Sequence, residues 1–323
     1  MMNTVLVLGA TGGIGGEVAR QLLATGWQVR ALTRDADKAR GQNAAFDWLE
    51  GDALNRDDVL AAARGCEVIV HAVNPPGYRH WAERVLPMID NTIAAAIAEG
   101  ATIVLPGTVY NFGPDAFPIL HEDSPQHPQT RKGAIRVQLE QRLYEASGNG
   151  ARALIVRTGD FFGAQAANSW FSQGLVKPGN LVRSINYPGP PGVAHQWAYL
   201  PDVARTMVEL LERRETLEAF ARFHMAGQVD ADGTQVSRAI QRVVLRRTGQ
   251  QPVVRMFPWW LLKIASPFIV TFHEMLEMRY LWQTPVLLDN TRLVAVLGAE
   301  PCTPLDEAVE TTLAGMGCLS RAV

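Results

Sequence analysis

A short apolar run followed by a cluster of glycines constrains the fold of this chain more than any other feature. Residues 5–8 are wholly apolar, as expected for a parallel strand that is covered on both faces. Gly9, Gly12 and Gly15 follow in the spacing G-x-x-G-x-x-G. Glycines at this spacing allow the chain to turn tightly off the strand and bring backbone N–H groups close to a ligand.

An amphipathic helix is predicted directly after this turn. Val18 and Leu22 continue an apolar stripe that begins at Ile14, and Gly26 stands where a helix usually ends. The unpaired amides at the start of such a helix and its positive dipole end favour a pyrophosphate. The predicted cofactor contacts in this segment are Gly9, Thr11, Gly12, Gly13, Ile14 and Gly15.

A second apolar strand, residues 27–32, follows the helix at the spacing of a βαβ unit. This context favours dinucleotide binding over the alternative, a turn whose glycines merely satisfy positive φ angles. The opening Gly9-Ala-Thr-Gly-Gly-Ile-Gly15 resembles the GATGxIG opening of the short-chain dehydrogenase/reductase superfamily, in its extended and atypical branches. The resemblance implies an α/β fold, a doubly wound parallel Rossmann sheet with a smaller, mainly helical C-terminal substrate domain.

The end of the second strand indicates which dinucleotide is preferred. An NAD site usually places an acidic residue there, whereas an arginine can face a 2′-phosphate. This chain has Thr33 and Arg34, with Lys38 one helical turn later and Asp35 one position late for an NAD carboxylate. We therefore expect NADP(H) to be favoured over NAD(H). The alternative for Arg34 is a solvated surface cation.

The resemblance also implies contacts at the ends of later strands. Asp52 and Ala53 match the position at which the superfamily has an aspartate beside the adenine. Ala72, Val73 and Asn74 end the predicted fourth strand at the carboxyl edge of the sheet, where open α/β sheets bind ligands.

The usual catalytic motif of the superfamily is missing from this chain. In Tyr-x-x-x-Lys the lysine lowers the pKa of the tyrosine, which then exchanges a proton with the substrate. None of the six tyrosines has a lysine four residues later. Where the motif is expected, the chain has Lys132 and Arg136, two like charges on one helix face whose repulsion an anionic cofactor would offset.

The segment around Lys132 and Arg136 resembles the K-x-x-I-R-x-x-(I/L)-E segment of isoflavone-reductase-like and NmrA-like proteins. In the reductases this lysine is the catalytic acid/base, and in the NmrA-like regulators the fold binds cofactor without turnover. Thr108 falls where the superfamily has a hydroxyl that holds the substrate oxygen. A turn-capping role for Thr108 and a solvated Lys132 are the alternatives.

Three function classes therefore stay open. The favoured one is an NADP(H)-dependent oxidoreductase of small carbonyl or ring-bearing substrates, with Lys132 and Thr108 catalytic and Arg136 near the nicotinamide ribose. The others are a non-catalytic NADP(H) sensor or regulator and a nucleotide-sugar epimerase/dehydratase-like enzyme. Four aromatic residues fall near the predicted edge of the cleft: Phe112, Phe161, Phe162 and Trp197. They indicate an apolar or ring-bearing ligand; the alternative is that they belong to the hydrophobic core.

The predicted organisation is a nucleotide-binding domain over residues 1–160, with a return segment near 196–210, and a substrate domain over 161–323. A formal net charge of −2 provides no basic surface for nucleic acid. The three cysteines have no metal-ligand or paired spacing, and the chain enters its first strand at Thr4. We therefore expect a cytoplasmic protein without a signal peptide or metal; a homodimer stays open.

One largely apolar stretch, residues 257–282, has the length of a membrane-spanning helix. It is interrupted by Lys263, Pro267, His273, Glu274 and Glu277, so no uncharged run long enough for a span fits inside it. The sequence predicts either a pair of core helices in the substrate domain or a surface helix that touches lipid or an apolar substrate.

Overall fold

The computed structural model describes residues 3–75, 81–166, 169–267 and 270–319. Its strands are β1 (Thr4–Leu8), β2 (Gln28–Thr33), β3 (Asp47–Glu50), β4 (Val68–His71), β5 (Thr102–Gly107), β6 (Ile119–Leu120), β7 (Arg152–Arg157), β8 (Asp160–Phe162), β9 (Ser184–Tyr187), β10 (His195–Tyr199), β11 (Phe220–His224), β12 (Gln228–Asp230), β13 (Val253–Met256) and β14 (Leu287–Leu288).

The α-helices in the same residues are α1 (Gly13–Ala24), α2 (Ala36–Gln42), α3 (Arg56–Ala63), α4 (Trp81–Glu99), α5 (Arg131–Ser147), α6 (Leu200–Glu212), α7 (Gln235–Thr248), α8 (Trp259–Ala265), α9 (Val270–Glu277), α10 (Thr291–Leu297) and α11 (Leu305–Gly315). A π-helical turn, Phe171–Leu175, and a 3₁₀ turn, Met278–Trp282, flank the second cavity described below. Apolar residues at steps of four predict a helix from about Arg79 to Glu99, and the first two residues of that helix lie outside the described residues.

A seven-stranded sheet in the order β11-β7-β5-β4-β1-β2-β3 forms the centre of the fold. Every neighbouring pair in it is parallel. The alternating residues of β1 divide between its two faces: Val5 and Val7 pack in one core cluster, and Leu6 and Leu8 pack in the other. Both faces are therefore covered, which is why β1 is apolar at every position from 5 to 8.

Helices from different parts of the chain cover the two faces. Val18 of α1 and Met207 of α6 lie in the cluster with Val5, whereas Ile89 of α4 and Leu139 of α5 lie in the cluster with Leu6. This arrangement confirms the predicted doubly wound α/β fold.

The last strand of the central sheet comes from the second half of the chain. β11 pairs in parallel with β7, and Phe223 lies opposite Val156. The sequence predicts a strand at residues 223–226, but it does not indicate the place of that strand in the central sheet. Through α6 and β11, the second half of the chain thus contributes to the central sheet and to one of the cores that cover it. The domain division at residue 160 stays a prediction.

The remaining elements form smaller layers beside the carboxyl edge of the sheet. They are the sheets β12-β10-β8, β13-β9 and β14-β6. A third core cluster joins α7 and α11 with Phe162 of β8 and with Trp197 and Tyr199 of β10. Phe112, Phe162 and Trp197 are all buried at 1% exposure or less, so these three of the four aromatics considered for the cleft are core residues.

The apolar stretch 257–282 forms α8, α9 and the 3₁₀ turn after them. Trp259 and Leu262 are buried in the third core cluster, but Trp260 and Ile264 are more than 60% exposed. The segment therefore has both a core face and an outer face. No helix within the described ranges is long and apolar enough to cross a membrane.

Candidate active site

The glycine turn after β1 is built by close backbone packing. Gly9 has a φ of +92°, and a Cβ placed on it would lie 2.6 Å from the carbonyl oxygen of Ala72. A Cβ on Gly15 would lie 2.4 Å from the carbonyl oxygen of Gly9. These two glycines let the first turn of α1 rest directly on the ends of β1 and β4.

Gly12 occupies a different environment from its neighbours. It precedes α1 as the N-cap, it is exposed, and a Cβ on it would meet only the Gly9 carbonyl oxygen, at 3.2 Å. No side chain caps α1, and its first turn contains no acidic residue. The N–H groups at this helix start thus remain available to an anion.

A cavity of about 760 Å³ opens in front of this helix start. Its size is within the range of small-molecule and cofactor sites, ~300–1,000 Å³. The structure places most of the predicted cofactor residues on its wall: Gly9, Thr11, Gly12, Gly13, Ile14, Arg34, Asp52, Ala53, Ala72, Val73 and Asn74.

Gly15 and Arg136 are not on this wall. Gly15 is buried inside α1, where its lack of a side chain serves helix packing. The guanidinium of Arg136 lies 5.0 Å from the ring centroid of Trp81, in a cation–π contact. The structure therefore does not bring either residue to the cavity on which the other predicted contacts converge.

The end of β2 carries a cation on the cavity wall. Arg34 lines the cavity and is exposed, and within the described residues it forms no ion pair with a carboxylate. Asp35 is engaged elsewhere, because its Oδ1 accepts a hydrogen bond from the backbone N–H of Lys38, at 3.0 Å, and caps α2. The strand end therefore presents a guanidinium rather than a carboxylate to the cavity.

A second, smaller cavity adjoins the first. Its volume is about 120 Å³, and it shares Phe161 and Ser169 with the larger cavity. Thr108 and Lys132 both line it. The two predicted catalytic residues, which come from different elements, are thus brought together next to the proposed nucleotide site.

The position of Lys132 follows from how α5 packs. A Cβ on Gly133 would lie 2.1 Å from the carbonyl oxygen of Tyr110, so only glycine allows α5 to approach the loop after β5 this closely. Thr130 caps the helix by accepting a hydrogen bond from the Gly133 N–H, at 3.1 Å. Lys132 in the first turn is consequently only 5% exposed, although lysine is rarely buried without a partner.

The partner of Lys132 is Glu274 on α9. The lysine Nζ and the glutamate Oε2 are 2.5 Å apart, and the Glu274 side chain is 19% exposed. The sequence does not indicate this residue: Glu274 is simply one of the charges that interrupt the apolar stretch 257–282. Only the three-dimensional packing of α9 over the small cavity identifies it.

A buried hydrogen-bond network holds Thr108 in position. Arg157, 1% exposed, donates to the Thr108 carbonyl oxygen at 2.5 Å and to Glu140 Oε2 at 2.7 Å. The Thr108 hydroxyl lies 3.2 Å from Oδ1 of Asn111, in line for a hydrogen bond. Because both the backbone and the side chain of Thr108 are bonded, its position is well defined.

His224 completes this network as a neutral residue. Its Nδ1 donates to the carbonyl oxygen of Leu120 at 3.1 Å, and its Nε2 accepts from Nε of Arg157 at 3.2 Å. Burial, and then the nearby Arg157 guanidinium, lower the pKa of His224 to about 3. A neutral imidazole is the form that can accept from arginine.

Several other residues of the small cavity were not predicted from the sequence. Tyr110 follows β5 and lies on the same wall as Thr108 and Lys132. Asp160 also lines the cavity, and its Oδ2 is 2.8 Å from Nε2 of His195. The apolar part of the remaining wall includes Trp170, Met275 and Met278. It also includes Phe161, which the sequence does indicate as an aromatic residue at the cleft edge.

These features define a nucleotide-binding α/β protein with a small second cavity at the carboxyl edge of its sheet. Residues 9–147 match a family model described as NAD(P)H-binding. The chain has a Rossmann-like α/β fold, which it shares with solved structures of UDP-sugar epimerases.

Two curated proteins resemble parts of the chain. A Synechocystis sp. protein provisionally named dihydroflavonol 4-reductase is 39% identical over 72 residues, 22% of this chain and 21% of its own. A 3-diazoavenalumate denitrifying reductase of a Streptomyces species is 30% identical over 175 residues, 49% of this chain and 56% of its own. The matches thus span about a fifth and about half of the relatives' lengths.

Solved structures match over nearly the whole chain. The UDP-glucuronic acid 4-epimerase of Bacillus cereus, in complex with UDP-glucuronic acid and NAD, has a TM-score of 0.72 at 15% identity. The alignment covers 97% of this chain and 98% of the epimerase. At this identity the likeness shows the fold alone.

Proposed function

We propose that this protein is an NADP(H)-dependent oxidoreductase that acts on a small carbonyl or ring-bearing substrate. One observation carries the proposal: Lys132, buried at 5% exposure, lines the same small cavity as Thr108, and that cavity adjoins the large cavity with the glycine turn. A titratable group that converges with a hydroxyl beside a nucleotide cavity is the arrangement expected of an active site.

The residues of the small cavity have separate roles in this proposal. Thr108 holds the substrate oxygen through its hydroxyl, whose one hydrogen turns from Asn111 Oδ1 to that oxygen when substrate binds. Lys132 donates a proton to the same oxygen during reduction or removes it during oxidation. Glu274 accepts a hydrogen bond from the Lys132 ammonium and orients it. NADPH, when bound, supplies the hydride.

The cofactor preference is proposed from the cavity wall. The residues on the wall fit a dinucleotide, because the α1 start offers free amides and Arg34 stands at the end of β2. With Asp35 engaged as the α2 cap, no carboxylate takes the place that favours NAD. NADP(H) is therefore the proposed cofactor, with Arg34 on its 2′-phosphate.

The size of the small cavity supports a compact substrate. A cavity of about 150 Å³ in another protein holds benzene, so about 120 Å³ suits a single ring or a short carbonyl compound. Trp170 and Met275 provide apolar walls for such a ring. The reductase names of the two curated relatives are in keeping with carbonyl or related reductive chemistry.

Two alternatives are less well supported. A nucleotide-sugar epimerase is suggested by structural neighbours with NAD and UDP-sugars, but the second cavity is small for a sugar nucleotide, and Tyr-x-x-x-Lys is missing. A cofactor sensor is favoured only by that missing tyrosine. The sensor gives no reason for a buried Lys132 beside Thr108.

Activity measurements distinguish the three functions. Purified protein with NADPH is mixed with panels of ketones, aldehydes and enones, and protein with NAD+ is mixed separately with UDP-glucose and UDP-glucuronic acid. The proposal expects NADPH consumption with at least one small carbonyl compound and no sugar epimerisation. Tight NADPH binding without turnover on any panel would instead support the sensor.

We also propose a cytoplasmic location, a small-molecule substrate and a division between nucleotide-binding and substrate-binding parts near residue 160. Cell fractionation tests the location. Light scattering tests whether the protein forms a homodimer.

A further inference from the structure

One continuous segment exposes an unusual amount of apolar surface. Within β13 and α8, Met256 is 70% exposed, Ile264 66% and Trp260 63%. Their neighbours Val253, Val254 and Leu261 are also more than 40% exposed. We call residues 253–264 with Arg183 the α8 surface. Contiguous exposed apolar residues of this kind mark a site of interaction.

The exposure is a consequence of how α8 packs. Trp259 and Leu262 point into the third core cluster, and the Trp259 indole N–H donates to the Pro188 carbonyl oxygen at 2.9 Å. The opposite side of the helix, with Trp260, Leu261 and Ile264, faces outward. The helix is therefore anchored on one side and presents a fixed apolar face on the other.

Three cations accompany this apolar face. Arg255 and Lys263 lie within the segment, and Arg183 adjoins β13, since its carbonyl oxygen accepts from the Val253 N–H at 3.2 Å. Within the described part of the chain, no carboxylate pairs with any of the three. Residues 170–187 and 250–267 contain no aspartate or glutamate. The α8 surface thus combines exposed apolar side chains with charged residues that are all cations.

A second copy of this chain does not suit the surface. A two-fold interface places the same patch of both subunits face to face. Arg183, Arg255 and Lys263 would then meet identical cations with no carboxylate between them, which opposes association. The chemistry instead calls for an apolar medium with negative charge at its boundary.

We propose that the α8 surface docks on an anionic phospholipid bilayer. Trp260, Leu261 and Ile264 enter the boundary between headgroups and acyl chains, where an amphipathic helix buries its apolar face. Arg255, Lys263 and Arg183 contact the lipid phosphates. The docking is peripheral, and it stands independently of the function proposed for the small cavity.

Sedimentation with vesicles tests the docking. The full-length protein is mixed with vesicles of equimolar phosphatidylcholine and phosphatidylglycerol, or of phosphatidylcholine alone. We expect binding to the anionic vesicles that weakens with added salt, and little binding to the neutral ones. Arg255→Gln and Lys263→Gln should each weaken partitioning roughly fivefold, which corresponds to the contribution of one basic residue.

Apolar variants and matched controls locate the contact. Trp260→Ser combined with Ile264→Ser should abolish sedimentation with vesicles. The control Ile97→Ser changes an exposed apolar residue on α4, and Arg56→Gln changes an exposed cation on α3; neither should alter binding. Unchanged thermal unfolding and NADPH affinity in the double variant would show that only the surface has changed.

A spectroscopic signature adds an independent check. Lipids brominated in their acyl chains should quench the fluorescence of docked protein, and Trp260→Phe should lose part of that quenching while it retains sedimentation. Three results would overturn the proposal: equal binding to neutral vesicles, full binding by the double variant, or a dimer in light scattering that the double variant dissociates. The last would assign the surface to a second copy.

Discussion

Nζ of Lys132 and Oε2 of Glu274 lie 2.5 Å apart across the small cavity, and both side chains are more than 80% buried. The two residues are far apart in sequence, on α5 and α9. A buried ammonium requires such a partner, because an unpaired charge in this environment is strongly unfavourable. The pair therefore fixes the position of the proposed acid/base and marks the residue on which substitutions are most informative.

Replacement of Lys132 tests the chemical step. Lys132→Met should lower turnover roughly 10²–10⁴-fold, the usual contribution of general acid–base catalysis, while the NADPH dissociation constant hardly changes. Steady-state kinetics and calorimetry measure the two quantities. Arg131→Met, which changes the exposed neighbouring cation, is the matched control and should leave both unchanged. Normal turnover in Lys132→Met would remove this lysine from the mechanism.

Replacement of Glu274 separates orientation from proton transfer. Glu274→Gln keeps the size of the side chain but removes the charge that Lys132 faces. Hydrogen bonds to charged groups contribute about 1.5–3 kcal/mol, so turnover should fall roughly 10–100-fold, less than in Lys132→Met. The double variant should be no slower than Lys132→Met alone, because the glutamate acts through the lysine. Additive losses would show that Glu274 has a separate role.

Arg34 tests the cofactor preference. The parent protein should bind NADPH more tightly than NADH, and Arg34→Ala should weaken NADPH by about 1–3 kcal/mol while NADH is little affected. Calorimetry of both cofactors measures this difference. Lys38→Ala is the control, since Lys38 is exposed nearby but does not line the cavity. Equal affinities of the parent protein for the two cofactors would contradict the prediction.

Gly12 tests the position of the pyrophosphate. A Cβ on Gly12 meets only one protein atom, the Gly9 carbonyl oxygen at 3.2 Å, so Gly12→Val should fold yet lose cofactor binding. Gly41→Ala in α2 is the matched control, because a Cβ there has no heavy atom within 4 Å. Circular dichroism establishes folding, and NADPH titration measures binding. A folded Gly12→Val protein with normal NADPH affinity would place the phosphate elsewhere.

Two buried histidines predict a loss of stability in acid. Burial is the main cause that lowers the pKa of both His71 and His224 from 6.5 to about 3. Below pH 6.5 the unfolded chain protonates these histidines, whereas the folded chain keeps them neutral down to a pH of about 3. Their contribution to the free energy of unfolding is therefore fully present above pH 6.5 and is lost as the pH drops toward 3. From pH 7 to 5 the free energy of unfolding should fall by roughly 4 kcal/mol for the two residues.

Urea unfolding at several pH values measures this dependence. His71→Gln should remove about half of the slope between pH 6.5 and 5, since one of the two proton-binding sites is lost. A slope that is the same in His71→Gln as in the parent protein would mean that His71 is not buried in its neutral form.

The parts of the site that the sequence predicts are those encoded locally. Gly9 and Gly12 lie next to the strand and helix that they connect, so spacing alone indicates their environment. Arg34 is predictable for the same reason, because it directly follows β2. Glu274 is not, since nothing near it in sequence distinguishes it from an ordinary surface charge; its role depends on the packing of α9 against α5.

The support of Thr108 shows the same limit. Thr108 itself is predictable from its place after β5, but its carbonyl oxygen accepts a hydrogen bond from Arg157 on β7, which also donates to Glu140 on α5. Gly15 and Arg136 show the converse. Both follow a family pattern, yet the first serves helix packing and the second lies against Trp81, because neighbouring side chains decide where each residue points.

The edge position of β11 bears on how the protein is made. β7 is complete when residue 157 has been synthesised, but its outer partner arrives only with residues 220–224. At 5–20 residues per second, the ribosome leaves β7 without that partner for several seconds or more. An unpaired strand edge with an apolar centre, here residues 153–156, is prone to bind other chains. Fragments that end before residue 220 should therefore aggregate, and the nascent chain should depend on chaperones until β11 is added.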